Sequence, residues 1–277
     1  MKIITDTGSL FSPEEGKKMG IDVLPLNVTI NKKSYQEFVD IQSPEFLKLI
    51  DEGHMPTSSQ PSIGLTMELF EKYSDEEILV INMADGLSGT YQSTLGVKQG
   101  MDHNENIHVM NSMTLCAPQR YLIEKAVRLR DAGHALEHIK QELHKSIATE
   151  TSFLIPNDFG YLKRGGRLTP LAATVGSMLR IKPIMIKTRD GKRIEKFTMK
   201  KTMKSAIKEV VKYMKENGVN EDYKIFISHA NVLEQAKSIL GMLHEAFENV
   251  TIELYDLSPA FITQGGPGCI AIQMIKM

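Results

Sequence analysis

Three short stretches rich in glycine and hydroxyl side chains lie far apart in this chain: residues 57–62 (TSSQPS), 85–93 (DGLSGTYQS) and 265–268 (GGPG). Each stands where an apolar strand gives way to another element. The middle stretch is the most informative. Residues 78–83 (ILVINM) read as a fully buried strand, after which Ser88, Gly89 and Thr90 open a helical segment. A hydroxyl and several backbone N–H groups are thereby set at a helix N-terminus, just past the carboxyl end of a central strand. Unpaired N–H donors and the helix dipole both favour negative charge there. Open α/β sheets bind their ligands at the same place. The chemistry this pattern supports is the holding of a small anionic ligand.

Nucleophilic chemistry at Ser88 is the competing reading, as an acyl-transferring or hydrolytic enzyme. The local pattern matches a nucleophile elbow only loosely, because the second glycine is out of place and no Asp and His are assignable as partners. A serine here serves more often as a hydrogen-bonding or capping group. Arg164-Gly-Gly-Arg167 fits a loop whose glycines permit positive φ, and equally a guanidinium clamp for a carboxylate or phosphate. His134-Ala-Leu-Glu-His138 matches a zinc-peptidase pattern. At about 100° per residue, however, both histidines fall on the face opposite Leu136, Ile139, Leu143 and Ile147, which makes this an ordinary amphipathic helix. Lys201, Lys204, Lys208, Lys212 and Lys215 recur at near-helical spacing. They read first as a solvated face, and second as a docking surface for an acidic partner, a phosphate-bearing ligand or anionic lipid. Neither a Walker A sequence nor a G-x-G-x-x-G fingerprint occurs, so nucleotide binding has no direct support.

The elements that must position these residues alternate. Strands are expected over 2–5, 22–30, 78–83 and 106–110, and helices over 43–52, 62–73, 88–101 and 118–132. Ser43 is expected to cap the first of these helices, ahead of Pro44. This rhythm predicts an α/β fold whose N-terminal domain, residues 1–155, holds a mostly parallel sheet with helices on both faces. Beyond it, residues 158–169 read as a Gly- and Arg-rich connection, and Asp190-Gly191 signals a hairpin. A C-terminal α/β domain with a mixed sheet is expected over 156–277.

The 277 residues carry a net charge of −1, with 42% hydrophobic and 24% charged side chains. That balance excludes a dominantly cationic nucleic-acid binder. Sixteen Met and no Trp suit an adaptable apolar core. Cys116 and Cys269 are too isolated for a C-x-x-C pair and are expected to be reduced and buried. The start of the chain lacks a signal-peptide pattern and no apolar run has membrane-spanning length, so a soluble, cytoplasmic protein is expected. No cofactor and no metal are expected.

Taken in order, TDTGSL (5–10), TSSQPS (57–62), DGLSGTYQS (85–93), YLKRGGRL (161–168), LRIKPIM (179–185) and GGPG (265–268) resemble the DegV family of bacterial fatty-acid-binding proteins along the whole chain. Some members of that family are the lipid-presenting subunit of a fatty acid kinase. The resemblance implies a long-chain fatty acid, such as palmitate or stearate, buried between the two domains. It further implies that hydroxyls of Ser58, with Ser59 adjacent, and of Ser88 hold the carboxylate, with Gly89 and Thr90 beside them. Arg167 and Gln264 are then expected near the mouth of the site, and a kinase subunit is the partner implied. In that role the protein carries substrate and does not catalyse. The chain departs from the family pattern at several positions. Gln264 stands where the family has a histidine, Lys201 where arginine is frequent, Ser58 where threonine opens T-S-Q-P-S, and Thr7 where serine follows T-D. Ser58 keeps the hydroxyl, whereas Gln264 removes a titratable donor.

Overall fold

A computed structural model of the chain describes residues 1–174 and 181–277. Leu179 and Arg180, the first residues of LRIKPIM, lie outside the described residues. The chain forms two compact units, one of Met1–Ile147 with Ser258–Ala260, the other of Ala148–Leu257 with Phe261–Met277.

The first unit runs β1 (Lys2–Asp6), α1 (Pro13–Lys18), β2 (Ile21–Leu24), β3 (Asn27–Ile30), β4 (Lys33–Gln36), α2 (Ser43–Asp51), β5 (Thr57–Ser59), α3 (Ile63–Lys72), β6 (Ile78–Asn82), α4 (Thr90–Gln99), β7 (Ile107–Asn111), α5 (Ala117–Asp131) and α6 (Leu136–Ile147). Among the described residues its main sheet has the order β2-β1-β6-β7, and every pairing is parallel. Ile3, Ile4 and residues 78–81 are completely buried, as parallel strands covered on both faces must be. Phe70 of α3 and Val97 of α4 pack with Ile4, Ile78 and Val80. The chain leaves β1 toward one edge and β6 toward the other, so the switch point falls between the carboxyl ends of β1 and β6.

One strand was expected over 22–30, and the structure makes two. Pro25 has no N–H to continue the ladder. β2 therefore stays in the main sheet, while β3 enters a small antiparallel sheet of order β4-β3-β5. The expected cap at Ser43 is also corrected. α2 starts at Ser43, and its N-cap is Gln42, whose side chain makes no capping hydrogen bond.

The second unit contains β8 (Thr151–Ile155), α7 (Phe159–Gly165), α8 (Pro170–Ala173), β9 (Lys182–Lys187), β10 (Ile194–Lys200), α9 (Met203–Glu216), β11 (Tyr223–His229), α10 (Leu233–Ala246), β12 (Thr251–Asp256), α11 (Pro259–Gly265) and β13 (Ile270–Lys276). Helix α11 begins in the first unit and continues in the second. The sheet order is β10-β9-β8-β13-β11-β12. It is mixed: β11 and β12 are parallel, and the other pairs antiparallel. Phe153, Ile184, Ile207, Val210, Ile225, Ile239, Leu243 and Ile272 form its core.

Because β8 pairs with β9 and β13, the chain divides between Ile147 and Ala148, ahead of the expected boundary at 155. The stretch 158–169 is not a plain connection. Asp158 caps α7 by accepting from Gly160 N, and Gly166 ends it in the left-handed region at φ 70°. The Asp190-Gly191 hairpin forms, with Gly191 at φ 71° and Thr188 N donating to Arg193 O at 2.9 Å.

Candidate functional site

Ser88 lies on the loop that leaves β6. Its Oγ is 2.8 Å from Thr90 Oγ1 and accepts from Thr90 N at 3.3 Å. Gly89 is the N-cap of α4, so the helix starts at Thr90, later than expected. Ser58 and Ser59 are on β5, opposite Val28 and Asn27 of β3. Asn27 Nδ2 donates to Gln60 O at 3.0 Å, which fixes the end of the 57–62 stretch to that strand.

Gln60 joins this stretch to the other. Its Nε2 donates to Ser93 Oγ at 3.0 Å. A Cβ on Gly89 would lie 2.7 Å from Gln60 Oε1, so the missing side chain at 89 is what admits Gln60. Residues 57–62 are thus seated on the first turn of α4, and two hydroxyl-bearing segments separated in sequence share one place in the first unit.

Arg167 and Gln264 belong to the second unit, and both meet Gly165. Arg167 Nη1 donates to Gly165 O. A Cβ on Gly165 would run into the far end of the Gln264 side chain, so the glycine lets Gln264 lie against the end of α7. Burial and the neighbouring Arg193 hold the Arg167 guanidinium below its ordinary pKa. Arg164 instead lies over the Tyr161 ring, 4.6 Å from its centroid.

Sequence reasoning missed a buried polar cluster at the switch point. Asp6 is fully buried. It accepts from Gly8 N at 2.9 Å, Asn82 Nδ2 at 3.1 Å, Met83 N at 3.0 Å and Gln119 Nε2 at 3.2 Å. Burial raises its pKa against those hydrogen bonds. Glu37, also fully buried, accepts from Thr7 Oγ1 and from Ala260 N at 2.8 Å. Burial pushes it up to about 7, the nearby Asp6 adds to the rise, and the hydrogen bonds from Thr7 and Ala260 oppose it. The signal available in the sequence was a polar Asp6-Thr7-Gly8 directly after an apolar strand. Glu37 had none.

The remaining candidates stay at the surface or carry nothing. His134 and His138 are exposed, with rings stacked 4.6 Å apart. No group of three metal-ligating side chains occurs among the described residues. Lys204 and Lys208 border a groove of about 570 Å³ that includes Met203, Val211 and Met242. Cys116 and Cys269 are buried and unbridged. Among the described residues no helix is long and apolar enough to cross a membrane.

A parallel unit with two hydroxyl-bearing segments, one on β5 and one on the loop after β6, followed by a mixed-sheet unit, defines a two-unit α/β protein with a candidate anion-receiving site. The chain belongs to the DegV family, whose description, "Uncharacterised protein, DegV family", matches residues 1–277. A DegV domain-containing protein of Halalkalibacterium halodurans is 31% identical over 276 residues, 98% of this chain and 96% of that protein. The structure is similar to that of DegV from Bacillus subtilis, a fatty acid binding protein, with 26% identity, a TM-score of 0.86 and coverage of 100% and 99%. It is also similar to a DegV family protein of Ruminococcus gnavus refined with vaccenic acid, with 25% identity, a TM-score of 0.87 and 98% of each chain covered.

Proposed function

We propose that this protein binds a long-chain fatty acid and holds its carboxylate with the hydroxyls of Ser58 and Ser88. The observation that carries the reading is the seating of residues 57–62 on the start of α4 through Gln60, Ser93 and Gly89. The fatty acids bound by the Bacillus subtilis and Ruminococcus gnavus relatives support it. Neutral hydroxyls and helix-terminal amides stabilise a carboxylate by charge-assisted hydrogen bonds while leaving it chemically unmodified. The tail supplies the affinity: about 15 methylenes at ~0.8 kcal/mol each give on the order of 12 kcal/mol gross. Lost motional freedom and head-group desolvation offset part of that.

In this reading the protein is a carrier, and the bound acid is the substrate of a kinase subunit that forms an acyl phosphate. Support comes from Ser88, whose Oγ is hydrogen-bonded to Thr90, a hydroxyl too weakly basic to activate a nucleophile. Mass spectrometry of an organic extract of protein made in bacteria is expected to show a long-chain fatty acid, and an extract without one refutes the proposal. With ATP and a fatty acid kinase catalytic subunit, hydroxylamine is expected to trap an acyl phosphate. Hydrolysis of an activated ester that disappears in Ser88→Ala would favour the enzyme reading instead.

A further inference from the structure

We propose that Glu37 is a positioning residue for the head-group site, acting through Thr7 and Leu26 on the small sheet that carries Ser58. The proposal rests on the fatty-acid reading of that site. Glu37 directly follows β4. Its backbone N donates to Leu26 O at 3.0 Å, and Leu26 directly precedes β3. Leu26 N in turn donates to Thr7 Oγ1 at 2.9 Å, and Thr7 Oγ1 donates to the Glu37 carboxylate. The ring so closed ties the root of the β4-β3-β5 sheet to the carboxyl end of β1. On the neighbouring strand Asp6 holds Asn82 and Met83, the root of the loop that reaches Ser88. Both serine-bearing segments therefore take their position from one buried cluster.

The chemistry of that cluster calls for a carboxylate. Thr7 Oγ1 donates to one oxygen of Glu37 and Ala260 N to the other. An ionised carboxylate accepts from both, one on each oxygen, whereas an amide offers one oxygen and turns its NH₂ toward a donor. Burying a charge without such partners is expensive, so Glu37 has a reason to be ionised only while the cluster is complete. Protonation removes acceptor capacity and loosens the root of the sheet. The charged group facing Glu37 is Asp6, which disfavours its ionisation. Leu26, Thr7 and residues 258–260 contribute no charge, and Asp40 on the same loop is engaged with Gln36 N. Burial pushes Glu37 up to about 7, which places the change near neutral pH.

The test is binding of monomeric palmitate, ¹³C-labelled at its carboxyl, between pH 6 and 8. A model carboxyl ionises near pH 4, so the ligand is already charged across this window. Wild-type affinity is expected to rise several-fold with a midpoint near 7. Glu37→Gln is expected to bind about tenfold more weakly at pH 8, with a flat profile and a shifted carboxyl resonance. Glu37→Asp, which keeps the charge, is expected to keep a rising profile, and its loss of that profile counts against the proposal. Glu37→Gln with a wild-type profile and resonance overturns it. Wild-type protein that takes up no palmitate overturns the fatty-acid reading itself, a result distinguishable from the others.

Discussion

Glu37 is the residue at which stability and positioning pull apart. Its folded pKa of about 7 lies above the reference value of 4.5. The protonated form thus favours the folded state. As pH rises past about 4.5 the unfolded chain ionises first, and stability falls until the folded carboxyl ionises near 7. At about 1.4 kcal/mol per unit the fall is on the order of 3 kcal/mol. Glu37→Gln has no such slope, so relative to wild type it should be more stable at pH 8 than at pH 5. Urea midpoints at the two pH values check this, and a variant that tracks wild type at both refutes it. Gly89→Ala probes the other side of the site. The added methyl meets the far end of Gln60 and should displace it from Ser93. The backbone at 89, with φ −76°, is open to alanine, so stability should drop by less than about 1 kcal/mol. Palmitate affinity should fall several-fold, because the two segments lose their link.

The elements differ in how much of them the sequence showed, and each difference has a physical source. β6 was legible because residues 78–81 are uniformly apolar and wholly buried. The hairpin at Asp190-Gly191 was legible because its turn chemistry is local. The β4-β3-β5 sheet was not: Thr57–Ser59 is three residues long and half-exposed or exposed, and it carries no period to detect. Helix α7 was hidden by the glycines within it, although its cap at Asp158 was a local signal. Asp158→Ala should therefore lower stability by about 1 kcal/mol, with Asp158→Ser retaining most of it. Denaturant midpoints of the two variants check the assignment, and equal losses would reject it. Ser88 was legible as part of a loop beside a strand end, whereas Ser58 and Ser59 turned out to lie on β5 itself. Glu37 was not, because its partners Thr7 and Ala260 lie 30 and 223 residues away. No window of local sequence contains the reason for its burial.

At the scale of the molecule, a ligand that binds only the folded chain stabilises it by mass action. A hundredfold excess over Kd contributes about 2.7 kcal/mol, roughly 5–10 °C in melting temperature for units of this size. Saturated acids of increasing length should raise the melting temperature of delipidated protein in even steps, reflecting ~0.8 kcal/mol per added methylene, until the apolar space is filled. Head and tail can then be separated. Ser58→Ala with Ser88→Ala should lower the whole series by a constant amount and leave the step per methylene unchanged. Because the two hydroxyls share one carboxylate, their single losses should not add to the double one. A double variant that flattens the steps would mean that these serines shape the tail's surroundings, and the head group would then have to be held elsewhere.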